Sequence, residues 1–209
     1  MTKLFLDIET IPAPESFKDE LAKEIQPENL DPENIQKWEE RIEKKYLNTS
    51  LNGDLGRILC IAYIKEIPIE VKRGIIKGDE PDILKEFWEI AKDVDLFIGH
   101  NILDFDLKFI FKRSVIHKIK PTKEIPFARY RSSPVYDTMQ EWRKWDTREK
   151  MISLDRLAKI LGLPSSKGTL NGSKVYEFYK QGKLEEIYRY CMEDVELTRK
   201  IYNRLNFIS

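Results

Sequence analysis

The sequence predicts an α/β protein: a mixed five-stranded sheet with helices on its faces. Three observations carry that expectation. Short strand-like runs occur at 3–9, 57–65, 67–77, 95–101 and near 133–137. Stretches with apolar residues at helical spacing lie between and after them. The runs at 57–65 and 67–77 almost touch, near Glu66, which asks for an antiparallel hairpin and hence a mixed sheet.

Each element has its own signal. Residues 3–9 alternate, with Leu4, Leu6 and Ile8 on one face, and then stop at "TIPAP". Residues 15–46 are charged and helix-prone, punctuated by Pro27 and Pro32. They read as two helices, about 16–25 and 32–46, inserted at the surface because their apolar content is thin. The segment 79–94 places apolar residues at 83, 84, 87, 88 and 91, which is helical spacing. "DLFIGHN" (95–101) reads as a short buried strand, and 104–117 as a helix. Ser153 can cap a helix that ends at Gly162. A short helix in "GSKVYEFYKQG" and a long one over 183–205 complete the chain. No internal repeat or low-complexity tract is visible. The order suits one domain, 1–209, carrying a helical insertion at about 15–50, with the first strand central in the sheet.

Composition narrows the function. The chain has 209 residues, enough to bury a core without metal or disulfide staples. The 34% of charged residues predicts a soluble protein with a highly charged surface. Cys60 and Cys191 form no CxxC pair, which argues against zinc and against a disulfide framework. No cleavable leader and no apolar run of about 18 residues is present, so the expected location is cytoplasmic, with no membrane partner. Lys plus Arg (36) balance Asp plus Glu (36), unlike a nucleic-acid coat protein, but a balanced total leaves room for an enzyme that grips a short stretch of strand.

Three acidic motifs stand out. Asp7 and Glu9 are two apart on the first strand, so both face the same way. Two carboxylates at the end of a buried strand are costly unless paired or metal-bound, and hard oxygen donors suit Mg²⁺ or Mn²⁺. The alternative is a solvated Asp-x-Glu before a turn. In "GHNILDFDLKF", Asn101 ends a strand and Asp106 opens the following helix; an ordinary first-turn acid is the alternative. On the last helix Tyr190 and Asp194 are four apart and share a face. Each motif is common by itself.

Taken together and in this order, the motifs resemble the DnaQ-like DEDD exonucleases, tyrosine subtype. The sequence is most similar to the stand-alone relatives of the family-B DNA polymerase exonuclease domain. "GRILCIAYI", "SLDRLAKILGLP" and "KGTLNGSKVYEFY" add to the resemblance, which covers most of the chain outside about 15–50. It implies a ribonuclease-H-like fold whose second strand is antiparallel, and a metal-dependent 3′→5′ exonuclease releasing nucleoside 5′-monophosphates. It implies that Asp7, Glu9, Asp106 and Asp194 bind two divalent cations, Mg²⁺ or Mn²⁺, and that Tyr190 positions the attacking water. By the same resemblance Asn101 contacts the strand near the scissile phosphate, and backbone around Ile8, Thr10 and Ile11 meets the terminal nucleotide. The expected partner is a single-stranded DNA 3′ end, with RNA possible. Asp137, in "YDTM", occupies the family's acidic position after the fifth strand and reads as structural. The insertion has no counterpart that can be aligned.

Weaker features remain. Lys167 sits in a loop where it can reach a phosphate or simply be solvated. Phe105 reads as core more readily than as a stacking ring, though substrate contact stays open. "ARYRSS" (128–133), with Trp142 and Trp145, can form a basic aromatic surface for single strands. His100 and His117 are not expected as ligands. Three alternatives stand beside the exonuclease reading. One is a haloacid-dehalogenase-like phosphatase, which needs a second Asp where Glu9 stands. The others are a non-catalytic nucleic-acid-binding module and an RNA-trimming enzyme.

Overall fold

The computed structural model describes residues 1–27, 31–164 and 170–208. The strands are β1 (Lys3–Ile11), β2 (Arg57–Ile67), β3 (Glu70–Lys77), β4 (Leu96–Gly99) and β5 (Val135–Asp137). They form one five-stranded sheet in the order β3-β2-β1-β4-β5. β2 runs antiparallel to both β1 and β3, whereas β1, β4 and β5 run parallel. This is a ribonuclease-H-like α/β fold with β1 at its centre. The hairpin turns at Pro68 and Ile69, slightly later than the sequence suggested, because β2 keeps its pairing with β1 as far as Glu66.

The helices are α1 (Phe17–Glu24), α2 (Pro32–Asn48), α3 (Glu80–Ala91), α4 (Asp106–Ile116), α5 (Thr138–Trp142), α6 (Leu154–Ile160), α7 (Val175–Lys180) and α8 (Leu184–Leu205). Alternation along β1 sends its side chains into two cores. Leu4, Leu6 and Ile8 join Ile83, Leu84 and Phe87 of α3 and Leu107 and Ile110 of α4. Phe5 points the other way, into a cluster with Tyr188, Cys191, Val195 and Tyr202 of α8. Asp7 and Glu9 share the Phe5 side of the strand, so they face α8. The apolar stripe of α3 buries Ile83, Leu84, Phe87, Trp88 and Ala91, the five positions its spacing marks.

The α1–α2 insertion buries more than its composition suggests. Leu21, Ile25, Ile42 and Tyr46 form a small core of their own, against which Trp38 and Tyr176 pack. Tyr46 donates to the carbonyl of Ala13 at 3.0 Å and meets the Tyr176 hydroxyl at 3.0 Å, which ties the insertion to α7.

One buried ion pair fastens α3 to α4. Glu80 accepts from Arg113 at 2.9 and 2.7 Å, from the Ile58 N–H at 2.7 Å, and lies 2.8 Å from His117. Burial pushes the Glu80 carboxyl up, but the bonds from Arg113, Ile58 and His117 outweigh it and hold it below the usual range. Removing one member leaves the other charge buried and alone. Glu80→Ala is therefore expected to cost about 3 kcal/mol or more in urea unfolding; a loss below about 1 kcal/mol, the level of a surface pair, would contradict this account.

Candidate active site

The site forms where the sheet changes direction. Beyond Phe5, β1 and β4 stop pairing: their register covers Lys3 to Phe5 only. Ligands in open α/β sheets settle at such a divergence, beyond the carboxyl ends of the strands. The freed edge of β1 is met by α4, whose first residue, Asp106, accepts the Ile8 N–H at 3.1 Å. On its other edge the pairing of β1 with β2 shifts register between Glu9 and Thr10, where β2 bulges by one residue, Leu59. Bulges of this kind re-aim side chains beside functional sites.

Asp7, Glu9, Asp106, Asp194 and Tyr190 all arrive at this place. Glu9 is 8% exposed and Asp106 3%, while Asp7 is half-buried and keeps an opening to solvent. Burial pushes the Asp7 carboxyl well up, and the charges of Asp106, Glu9 and Asp194 push it further. Glu9 is raised by burial, by Cys60, which pairs with it across β2, and by Asp194 and Asp106. Burial takes Asp106 to about 7 against the pull of its backbone bonds, with Asp137 adding to the rise. On α8, Tyr190 hydrogen-bonds the Asp194 carboxylate one turn away. Burial and the charge of Asp194 hold its phenol protonated at neutral pH.

Cys191 is the residue that sequence reasoning missed. Its thiol donates to the Asp7 carbonyl at 3.4 Å and lies 3.6 Å from Asp7 Oδ2. The ligand atoms of Asp7, Glu9 and Cys191 fall within 4.8 Å of one another. Its position between Tyr190 and Asp194 was the available signal, but a lone cysteine in an apolar stripe reads as core. Burial and the neighbouring Cys60 push the Cys191 thiol up, so it acts as a donor.

Asp137 holds the loop that delivers Asp106. Fully buried, it accepts from the backbone N–H groups of Asn101 (3.0 Å), Leu103 (3.2 Å), Met139 (3.0 Å) and Gln140 (3.3 Å). The structural role expected of it is what these bonds show. Two further features let the loop double back. A side chain at Gly99 would meet Ile102 at 2.6 Å, and Asn101 takes a left-handed φ of 64°, which Asn tolerates better than most residues. The Asn101 Oδ1 is buried with no hydrogen-bond partner among the described residues.

The remaining candidates divide. The Ile8 N–H is already occupied by Asp106. The Thr10 hydroxyl donates to the Ser50 carbonyl at 2.6 Å, and Ile11 is buried. Phe105 packs against the α3–α4 core and lies 5.6 Å from the Phe109 ring, as a core residue would. His100 bridges Thr138 and the Ile152 carbonyl, and burial lowers it to about 4, so it is neutral. His117 belongs to the Glu80 pair. Lys167 lies outside the described residues. The Tyr130 and Trp145 rings lie 5.4 Å apart at a tilt of 43°, and Trp142 is exposed.

Raised carboxyl pKa values carry a stability consequence. Such groups add to stability below their unfolded value, near 4, and the contribution is lost as pH climbs through about 7 for Asp106. His100 works the opposite way, but only below its unfolded value near 6.5. In chelator, the Tm should therefore fall as pH rises from about 6.5 through about 7, where Asp106 ionises. Asp7→Asn should be the more stable protein at the upper end, with a shallower fall. A flat profile, or a less stable Asp7→Asn, would contradict the electrostatics.

The family comparison agrees with the geometry. A family model described as "Predicted 3'-5' exonuclease related to the exonuclease domain of PolB" matches residues 51–209, well over half of the chain. No curated protein matches the chain. Asp7 and Glu9 precede the matched segment, but β1 is hydrogen-bonded between β2 and β4, which both lie inside it. Nucleic acid is the substrate class this membership implies. Among the described residues, no helix is long and apolar enough to cross a membrane. The chain belongs to the family of predicted 3′–5′ exonucleases related to the exonuclease domain of PolB.

Proposed function

We propose that Asp7, Glu9, Asp106 and Asp194 hold two divalent cations, Mg²⁺ or Mn²⁺, and that the protein removes nucleoside 5′-monophosphates from the 3′ end of single-stranded nucleic acid, with DNA favoured. One observation carries this reading. Three acids, two of them almost fully buried, are each raised by burial, Asp7 is raised further by Asp106, Glu9 and Asp194, and among the described residues no Lys or Arg is ion-paired with the three. An uncompensated cluster of hard oxygen donors suits a divalent cation. Cations bound there would supply charge stabilisation for the attacking and leaving oxygens of an in-line displacement.

The chain's own residues do the rest. The Tyr190 phenol, kept protonated and aimed by Asp194, orients the attacking water through a hydrogen bond. The thiol of Cys191 and the N–H of Ile8 fix Asp7 and Asp106 in place. Asn101 contacts the substrate strand near the scissile phosphate, where its Nδ2 can donate to a phosphate oxygen and its unmatched Oδ1 can accept only from a sugar hydroxyl, a base N–H or water. The backbone at Thr10 and Ile11 borders the terminal nucleotide, and Phe105 supports that border from the core side. Residues 1–209 act as one exonuclease domain; the bonds of Tyr46 to Ala13 and Tyr176 support treating the insertion as part of it. A phosphatase of the haloacid-dehalogenase kind does not fit this family.

End-labelled single strands of DNA and RNA, incubated with Mn²⁺, test the reading. A ladder shortening from the 3′ end with mononucleotide products is expected. Asp7→Asn and Asp194→Asn should each lose more than about a hundredfold in rate, beyond the range for an outer partner, and Tyr190→Phe about ten- to a hundredfold. Binding of the strand without cleavage, or undiminished cleavage in excess chelator, would contradict it.

A further inference from the structure

A second surface begins one turn beyond Asp106. The solvent face of α4 carries Lys108, Phe111 and Lys112, at helical spacing i, i+3 and i+4. They line a cavity of about 660 Å³ whose opposite wall is the segment 120–127, bearing Lys120 and Phe127. Phe111 and Phe127 are 45% and 37% exposed, with ring centroids 5.9 Å apart at an interplanar angle of 65°. Folding does not require two half-exposed phenylalanines here.

The cleft is preformed. Thr122 donates to the Trp88 carbonyl, Lys123 donates to the Val94 carbonyl, and Ile125 is buried in the main core. These anchors hold the 120–127 wall away from α4. The lining carries four lysines, Lys108, Lys112, Lys120 and Lys123, and one acid, Glu124, with Asp104 and Asp54 beside the first two. Lys108 and Lys112 are engaged only in exposed surface pairs with Asp104 (2.8 Å) and Asp54 (2.7 Å). Pairs of that kind contribute little and yield readily to a phosphate.

We propose that this cleft binds the substrate strand upstream of its 3′ end, with bases against Phe111 and Phe127 and phosphates on Lys108, Lys112 and Lys120. The inference rests on the exonuclease reading of the carboxylate site and adds where the rest of the strand goes. Two features select a single strand as the occupant. The cleft and the carboxylate site share one element, because Leu107 of the cleft lining follows Asp106 in the first turn of α4. It also combines aromatic faces with a cationic rim, the pairing that sequence-tolerant single-strand binding uses. At 1.5 Å rise per residue, Phe111 lies about 7.5 Å along α4 from Asp106. At 3.6 residues per turn it also lies about 140° round the helix from Asp106, so a strand reaching the cleft passes round the first turn of α4.

Two thymidylate substrates, a dinucleotide and a dodecamer, test this in Mn²⁺. The double variant Phe111→Leu/Phe127→Leu keeps apolar volume but removes both rings; Phe111→Ala/Phe127→Ala removes both. Either should raise KM for the dodecamer about tenfold or more through lost stacking, with kcat unchanged and dinucleotide turnover unaltered. Anisotropy of the labelled dodecamer in chelator should show the same loss of affinity. Lys112→Ala/Lys120→Ala should lower the slope of log affinity against log salt by about 1.4, at about 0.7 per phosphate. Equal effects on both lengths, or none on either, would overturn the proposal. So would a wild-type dimer that the phenylalanine variants convert to monomer, since the cleft would then be a protein interface. A wild-type protein that leaves both substrates intact refutes the exonuclease reading instead, and the anisotropy alone then decides the cleft.

Discussion

Like charge gathered at the end of a buried strand is the constraint on which the rest of this molecule depends. Asp7, Glu9 and Asp106 sit where burial disfavours their ionised forms, and the charges of Asp106 and Asp194 raise the cost for both Asp7 and Glu9. A fold that served stability alone would place apolar side chains there. The arrangement survives because β1 is central, with its lower half, Leu4 to Leu6, completely enclosed by two helical layers. That apolar packing offsets a local electrostatic cost at the carboxyl end of the same strand.

Three parts of the architecture follow from bringing those acids together. β4 is short, so β1 is free of it beyond Phe5 and its edge can accept α4. The loop between β4 and α4 is drawn tight by two N–H bonds to Asp137, from Asn101 and Leu103, so Asp106 arrives at the Ile8 N–H rather than in solvent. α8 docks through Tyr188, Cys191 and Val195, and the same register turns Tyr190 and Asp194 toward Asp7 and Glu9. Stability and the proposed chemistry thus use alternate positions of the same elements.

Much of this was legible in the sequence, for identifiable reasons. Period-2 alternation placed Asp7 and Glu9 on one face of a central strand, and helical spacing placed Tyr190 and Asp194 together. The five buried positions of α3 could be read directly. Asp106 and Asp194 could not be assigned individually, because a first-turn acid and a helical acid are common; only their order along the chain, set beside a known family, joined them. The interior role of the insertion was hidden because Tyr46, the residue that ties it to Ala13 and Tyr176, is one aromatic in a charged helix. Cys191 was missed because a buried thiol looks the same in sequence whether it touches apolar carbon or a carboxylate. The cleft beside α4 depends on a wall 120–127 whose position is fixed by bonds to carbonyls of Trp88 and Val94, which no local pattern encodes.

The central claim, that the clustered acids form a cation site, is tested most directly by calorimetric titration of Mn²⁺ into metal-free protein near pH 7 in two buffers of different protonation enthalpy. Because Asp106 titrates at about 7 and its neighbours are raised as well, binding should expel protons, and the apparent heat should differ between buffers. Asp7→Asn should weaken the binding and reduce the number of protons released. Buffer-independent heats, or Mn²⁺ binding equally tight in Asp7→Asn, would contradict the account.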